Sequence, residues 1–491
     1  MLIPLAIPPG LSRLGTDLQS AGRWRDGNLI RWREGVMQPV GGWAARATDP
    51  LEKPPRGAHV WRTNGGARYI GVGTYSSLTA IDAANVVTDI TPAGLTAGLE
   101  SAGFVTGYGI GLYGAGDYGV DPVDSGTFTE AGVWSIDNWG ENLIACSTAD
   151  GRIVEWALDV DAKAVAITNA PTSCLGVMVT EERFVFALGA GGDSRKIQWS
   201  DQENNTVWAP LATNQAGDIL LQTPGQIMCG VRTRGQALIL TDQDAHTATY
   251  TGPPFVYGFE RVGTACGIIS RMAAVSTDAG VFWIGRADFY RYAGGAVESV
   301  PCEVADFVFN DMNRGQMSKV WGASLAYLGE IWWFYPSRAS LECDRYVAFN
   351  FSENHWSTGS LDRTAGIPRG VFQNPIWFDS NGQAYDQELG NNLHGSNSFV
   401  RSGPVQLGNG DNVLSAVRLI PDEATQGEST MTFTTRLHPN DTARDFGPYT
   451  MANPTSVRFT GRQFEVQIDG AAMQNWRVGV PRVEVQQRGR R

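Results

Sequence analysis

Residue types able to do chemistry are present but scattered. Gly109-Ile110-Gly111-Leu112-Tyr113-Gly114 has the spacing GxGxxG, which cradles a pyrophosphate only between a strand and a helix N-terminus. No helical periodicity follows it, so no nucleotide site is expected. Gly192-Asp193-Ser194 offers a serine, yet no Asp-x-x-His lies downstream, and the block reads as a polar turn. GxSxG, P-loop and HExxH motifs are absent. The histidines His59, His246, His355, His394 and His438 stand singly, so a histidine metal cage needs long-range convergence. Asp159/Asp161 and Asp242/Asp244 could offer oxygens to a cation, but no EF-hand spacing follows either pair. Cys146, Cys174, Cys229, Cys266, Cys302 and Cys343 include no CxxC pair, and most lie in apolar runs, which predicts buried reduced thiols. From these absences we expect no catalytic residue, no cofactor and no metal, and a protein that is not an enzyme.

Two segments are denser. Ser276-Thr277-Asp278-Ala279-Gly280-Val281-Phe282-Trp283 fits the pattern S-x-D-x-G-x-x-W, the Asp-box turn found in sialidase-like propellers. There the Asp278 carboxylate is expected to cap backbone N–H groups, Gly280 to take a positive φ, and Trp283 to pack on the turn. Ser147-Thr148-Ala149-Asp150-Gly151 is a looser copy. Near the N-terminus, Arg23, Trp24, Arg25, Arg31, Trp32 and Arg33 alternate within RWRDGNLIRWREG. Arginine beside tryptophan allows guanidinium stacking and can hold single-stranded nucleic acid, but Asp26 and Glu34 dilute the charge. An inter-subunit or strand-pairing segment is the expectation.

The elements that must position these residues are almost all strands. The one helix candidate is VADFVFNDMNRGQMSKV, 304–320. Elsewhere short β-branched and aromatic runs flank polar turns, as in 67–82, 142–158 and 280–292, and each reads as a hairpin. Such units begin near 57, 131, 172, 217, 264, 320 and 366. A four-stranded unit repeated every 40–50 residues or so predicts a β-propeller, here of about six or seven blades. The expected organisation is an N-terminal docking segment over 1–50, a propeller over 51–394 and a β-sandwich-like domain over 395–491. Residues 103–126 interrupt the first blades. They are rich in glycine, and Tyr108, Tyr113 and Tyr118 recur at a spacing that suits neither helix nor strand. A loop reaching a neighbour is expected there, with the tyrosines as contacts.

Composition narrows the class. The 491 residues are 42% hydrophobic and 18% charged, which excludes disorder, and no run of about 18 apolar residues offers a membrane span. The start lacks a basic n-region and meets Pro8-Pro9 early, so no secretory signal is expected. Net charge is −12. Residues 1–50 hold six Arg against four acids and 401–491 hold eleven against nine, so each end is +2 and the body between carries −16. Such a body does not grip nucleic acid along its surface, yet suits a wall that DNA passes without sticking.

Whole segments then resemble one family. GRWRDGNLIRWREGVMQPVGGW (22–43), GLYGAGDYG (111–119), WSIDNWGENLIACSTADGRIVEW (134–156), GEIWWFYPSRASLECDRYVAFNFSENHWSTGSLDRTAG (329–366) and the closing FTGRQFEVQIDG…WRVGVPRVEVQQRGRR are similar to tail nozzle proteins of short-tailed double-stranded DNA phages. The resemblance implies a structural virion protein, assembled in the host cytoplasm as a homohexamer, that forms the distal tail tube. It implies contacts with the tail adaptor and a tail fibre or spike, and passage of double-stranded DNA without sequence-specific binding. The alternative from another class is a glycan-binding or sialidase-like propeller.

Overall fold

The structure is a computed structural model that describes residues 1–16, 18–104, 128–406, 413–438, 441–471 and 473–488. Seven four-stranded antiparallel sheets follow one another along the chain. The first strands of the seven are Pro55–Arg62, Trp134–Trp139, Gly176–Val179, Ile227–Thr233, Ala274–Thr277, Trp321–Leu325 and Ala365–Ile367. Each first strand packs against the next, and the seventh returns to the first. The ring is therefore closed, and the body is a seven-bladed β-propeller.

Its core lies between blades, because one sheet cannot cover its own two faces. The second strand of blade six, Glu330–Tyr335, shows why the sequence builds it this way: all six residues are buried. Trp332 points into the cluster shared with blade seven, and Trp333 into the cluster shared with blade five. Alternation along the strand thus loads both faces with aromatic surface. The predicted hairpins occur over 68–82, 142–156 and 280–293. Two blades begin later than the expected 217 and 264, at Ile227 and Ala274. The strands Gly217–Leu220 and Val256–Thr264 are the outer strands of blades three and four, not the first strands of the next.

Residues 399–488 form two sheets. The strand Ser429–Arg436 alternates buried and half-buried positions along its length, placing Met431 and Phe433 inside. They meet Phe459, Phe464 and Val466 in one apolar core between the sheets. This is a β-sandwich.

The N-terminal segment, 1–50, docks by supplying strands to both bodies. Strand β1 (Leu2–Pro4) edges one sandwich sheet and β2 (Trp24–Asn28) edges the other. β3 (Ile30–Arg33) and β4 (Val36–Pro39) form a hairpin whose two-residue loop, Glu34-Gly35, has φ of 53° and 79° at its centre. Positive φ at both positions matches the right-handed strand twist. β5 (Trp43–Ala45) pairs with Ala384–Gln387 and is the fourth strand of blade seven. One segment thus closes the propeller and staples the sandwich to it.

The helix predicted near 304–320 is one turn of α-helix and more, α1 (Ala305–Asp311), then a 3₁₀ turn at Arg314–Lys319. The insertion after blade one starts from a short ladder, Gly103–Phe104 against Phe128–Thr129. Its stem is held across the face by Gln316, whose side chain bonds both the N–H and the carbonyl of Ala102 at 3.0 and 2.9 Å.

Candidate functional site

Two places gather charged side chains from distant parts of the chain. The first is the propeller axis. The seven first strands enclose a cavity of about 520 Å³. Asp137, on blade two, accepts from the Val179 N–H of blade three at 2.8 Å and from Arg232 Nη2 of blade four at 2.8 Å. His59, on blade one, bonds Asn138 Oδ1 through Nε2 at 3.0 Å and lies 3.8 Å from Asp137. Burial pushes the His59 imidazole below its ordinary pKa, against the pull of Asp137 and Asn138, so it is neutral at pH 7. Arg271 lines the same cavity. Its Nη1 donates to the Ile227 and Met228 carbonyls at 3.0 and 2.8 Å, and its Nε is buried without a partner. Burial lowers its pKa, with Glu130 and Asp242 acting in the opposite sense from a distance. Cys229 also lines the wall, but burial pushes its thiol up to about 12, which leaves no thiolate nucleophile.

The second place is the junction between β3 and the last two blades. Arg31 contacts Glu330 Oε2 at 2.9 Å and both oxygens of Glu388 at 2.6 and 2.8 Å. Burial alone would lower the guanidinium pKa, but the two carboxylates raise it well above its ordinary value. Glu388 also accepts the Gly41 N–H at 3.1 Å, an approach only glycine allows, since a Cβ at 41 would lie 2.3 Å from that carboxylate.

Of the two expectations for 23–33, strand pairing is the one met, β2 with Phe399–Ser402 and β3 with β4, and the inter-subunit one is corrected at the buried positions. Trp24, Arg31 and Trp32 are 5%, 6% and 2% exposed, so they are spent inside the chain and cannot meet a second subunit or a nucleic acid. Trp32 packs edge-on against His355 at 5.8 Å. Arg23 pairs with Glu303, and Arg25 donates to Ser20 Oγ at 2.6 Å. Arg33 is exposed, in a groove with Asp422 and Arg477. Tyr108, Tyr113 and Tyr118 lie outside the described residues.

The Asp-box expectation is corrected too. Gly280 does take a positive φ, 128°. But the Asp278 side chain is fully exposed, 3.7 Å from Arg234, and the turn is held instead by Thr277 Oγ1 donating to the Gly280 carbonyl at 3.0 Å. Trp283 leaves the turn altogether: it is buried in the blade and donates to the Cys266 carbonyl at 2.8 Å. Ser276 Oγ donates to the Arg232 carbonyl at 3.4 Å and stands at the rim of the axial cavity. The looser copy behaves more as the pattern demands, for Asp150 accepts from the Thr96 N–H at 2.9 Å and from Arg152 Nε at 2.7 Å. Sequence reasoning missed His59, Asp137 and Arg271. Their signal is a charged or titratable residue inside an otherwise apolar first strand or its lead-in.

Fold and site together define a seven-bladed β-propeller that carries a β-sandwich and a charged axial cavity. No protein-family model matches the chain, and no curated protein matches it. Among solved structures it is similar to virginiamycin B lyase from Staphylococcus aureus, at 8% identity and a TM-score of 0.44 over 70% of this chain and 98% of that one. It is also similar to YCF48 from Cyanidioschyzon merolae, at 10% identity and a TM-score of 0.41 over 70% and 98% of the two chains. The likeness is one of fold and transfers no activity. The expectation that the protein is not an enzyme is withdrawn on a different ground, for it rested on missing motifs alone. The physical reason is visible in the cavity. A propeller brings residues 59, 137 and 232 together from three blades, so missing sequence motifs exclude nothing.

Proposed function

We propose that the protein is a structural component of a virion: the tail nozzle of a short-tailed double-stranded DNA phage. Six copies form a ring that extends the tail channel, retains the packaged DNA and lets it leave. The segment resemblance supports this reading. The observation that carries it is the threading of residues 1–45 through both sandwich sheets and blade seven. That threading braces propeller and sandwich into one body, as a ring that carries load between neighbours requires. Exposed apolar side chains at blade edges and at a hairpin tip, Val165, Leu220 and Phe255, supply contact surface for neighbours. The acidic body, −16 over 51–400, suits a wall past which phosphates slide. That wall is not the axial cavity, whose volume of about 520 Å³ is of small-molecule size. The duplex passes between subunits, through the lumen of the ring.

Negative-stain imaging of the purified protein and immunogold labelling of virions test the reading. A sixfold ring and label at the tail tip are expected. Virions whose tails lack the protein would overturn it.

A further inference from the structure

Three other guanidiniums drawn into the molecule have a carboxylate at hand, whereas Arg363, 3% exposed, donates to the Asp362 carbonyl and lies over the Trp43 and Tyr385 rings. Arg31 has two, Arg46 has Asp386 at 2.8 Å and Arg56 has Glu342 at 2.6 Å. Arg271 has none within 4 Å among the described residues. Its only partners are the two carbonyls of blade four, and its Nε is buried and unsatisfied. Carbonyl dipoles orient a cation but do not neutralise it, and burying an unpaired charge is costly.

The cavity around it adds two observations. Its lining holds two guanidiniums, Arg232 and Arg271, against one carboxylate, Asp137, while His59 is neutral. Asp137 is already committed to Arg232 and to the N–H groups of Val179 and Asn138, so its charge is answered locally. The surplus is one positive charge, in a chain whose total is −12. The volume, about 520 Å³, suits a small molecule.

The geometry points to the axial cavity as a binding site for a small anion, whose phosphate or carboxylate oxygens pair with Arg271. Charge-assisted, two-pronged recognition of an oxyanion is what a guanidinium does best. The site is independent of the ring assembly proposed above, and a monomer carries it whole.

The test titrates the full chain, in low-chloride buffer at constant ionic strength, with inorganic phosphate and separately with citrate. Calorimetry reads the affinity and the stoichiometry. Saturable 1:1 binding of at least one probe is expected. Phosphate alone would assign a tetrahedral oxyanion, citrate alone a carboxylate, and both the shared chemistry. Arg271→Gln should weaken binding about tenfold or more. Arg286→Gln, at an exposed guanidinium, should leave it unchanged. Arg271→Lys keeps a cation at the same place and should retain more binding than Arg271→Gln, which a merely structural role for the side chain would not produce. No saturable binding of either probe, or binding to Arg271→Gln as tight as to the parent, would overturn the site.

Discussion

Arg31 lies between Glu330 and Glu388 at 2.9 and 2.6 Å, whereas Arg271 reaches only two backbone carbonyls. Arg31 is buried and Arg271 half-buried in the cavity wall, and their pKa values move apart: up for Arg31, where two carboxylates outweigh burial, and down for Arg271, where burial wins. The difference separates two uses of a buried charge. A cation neutralised from within is a lock, since each partner left alone would be an uncompensated buried ion. At the junction it ties β3 to blades six and seven. A cation left unneutralised contributes little to the lock and leaves a place for an external anion.

The largest effect should come from removing the segment that the lock holds. Deleting residues 1–45 takes β5 from blade seven, β1 and β2 from the sandwich sheets, and Arg31 from its carboxylates. An open propeller exposes the blade-seven face, and loss of the cooperative thermal transition is expected by circular dichroism. A truncated chain that melts as sharply and as high as the full one would show that the junction locks nothing.

A sharper comparison replaces one side chain at each place. Arg31→Ala strands Glu330 and Glu388 in the interior and should cost about 3–5 kcal/mol. Arg271→Gln removes a charge that had no carboxylate and should cost about 1 kcal/mol or less, for the carbonyl hydrogen bonds it gives up. Denaturant midpoints at equal m-value decide the matter. Equal losses at the two sites would break the distinction between them.

The propeller was legible in the sequence because blades are local. EIWWFY at 330–335 and the hairpin over 280–293 carry their own alternation and turns, and β-hairpin contacts span few residues. What could not be read was non-local. β5 is three residues long, and its partner is Ala384–Gln387, at the other end of the propeller. The alternating Arg and Trp of 23–33 left an inter-subunit role and strand pairing both open, and the chain pairs them as strands. Arg31 turns inward because two acids far along the chain, at 330 and 388, complete it. His59, Asp137 and Arg232 likewise meet only once the ring closes. The Asp-box spacing misled for the opposite reason: the turn it predicts is present, but Thr277 holds it, and Asp278 is left in solvent.

The smallest effect tests whether the axial cavity resists added positive charge as the lock does not. His59 faces Asp137 and Asn138 from blade two and Arg232 from blade four, and stacks on Trp61 at 6.1 Å. Burial holds its pKa below the ordinary 6.5, Asp137 and Asn138 act to raise it, and Arg232 acts to lower it. The sign follows from linkage. Below about pH 6.5 the unfolded chain takes up a proton that the folded imidazole refuses, so stability falls as pH falls, until the folded pKa is reached and the loss levels off. His355 adds a loss of the same sign, since burial lowers it against the pull of Glu353. His59→Gln should therefore show a smaller drop in Tm between pH 7.5 and 5.5 than the parent, with the remainder due to other groups. Phosphate in the cavity would favour the imidazolium, so adding it should shrink the drop in the parent and leave His59→Gln unaffected. A drop of the same size in both proteins, with and without phosphate, would mean that the cavity does not discriminate against charge, and the contrast with Arg31 would lose its electrostatic basis.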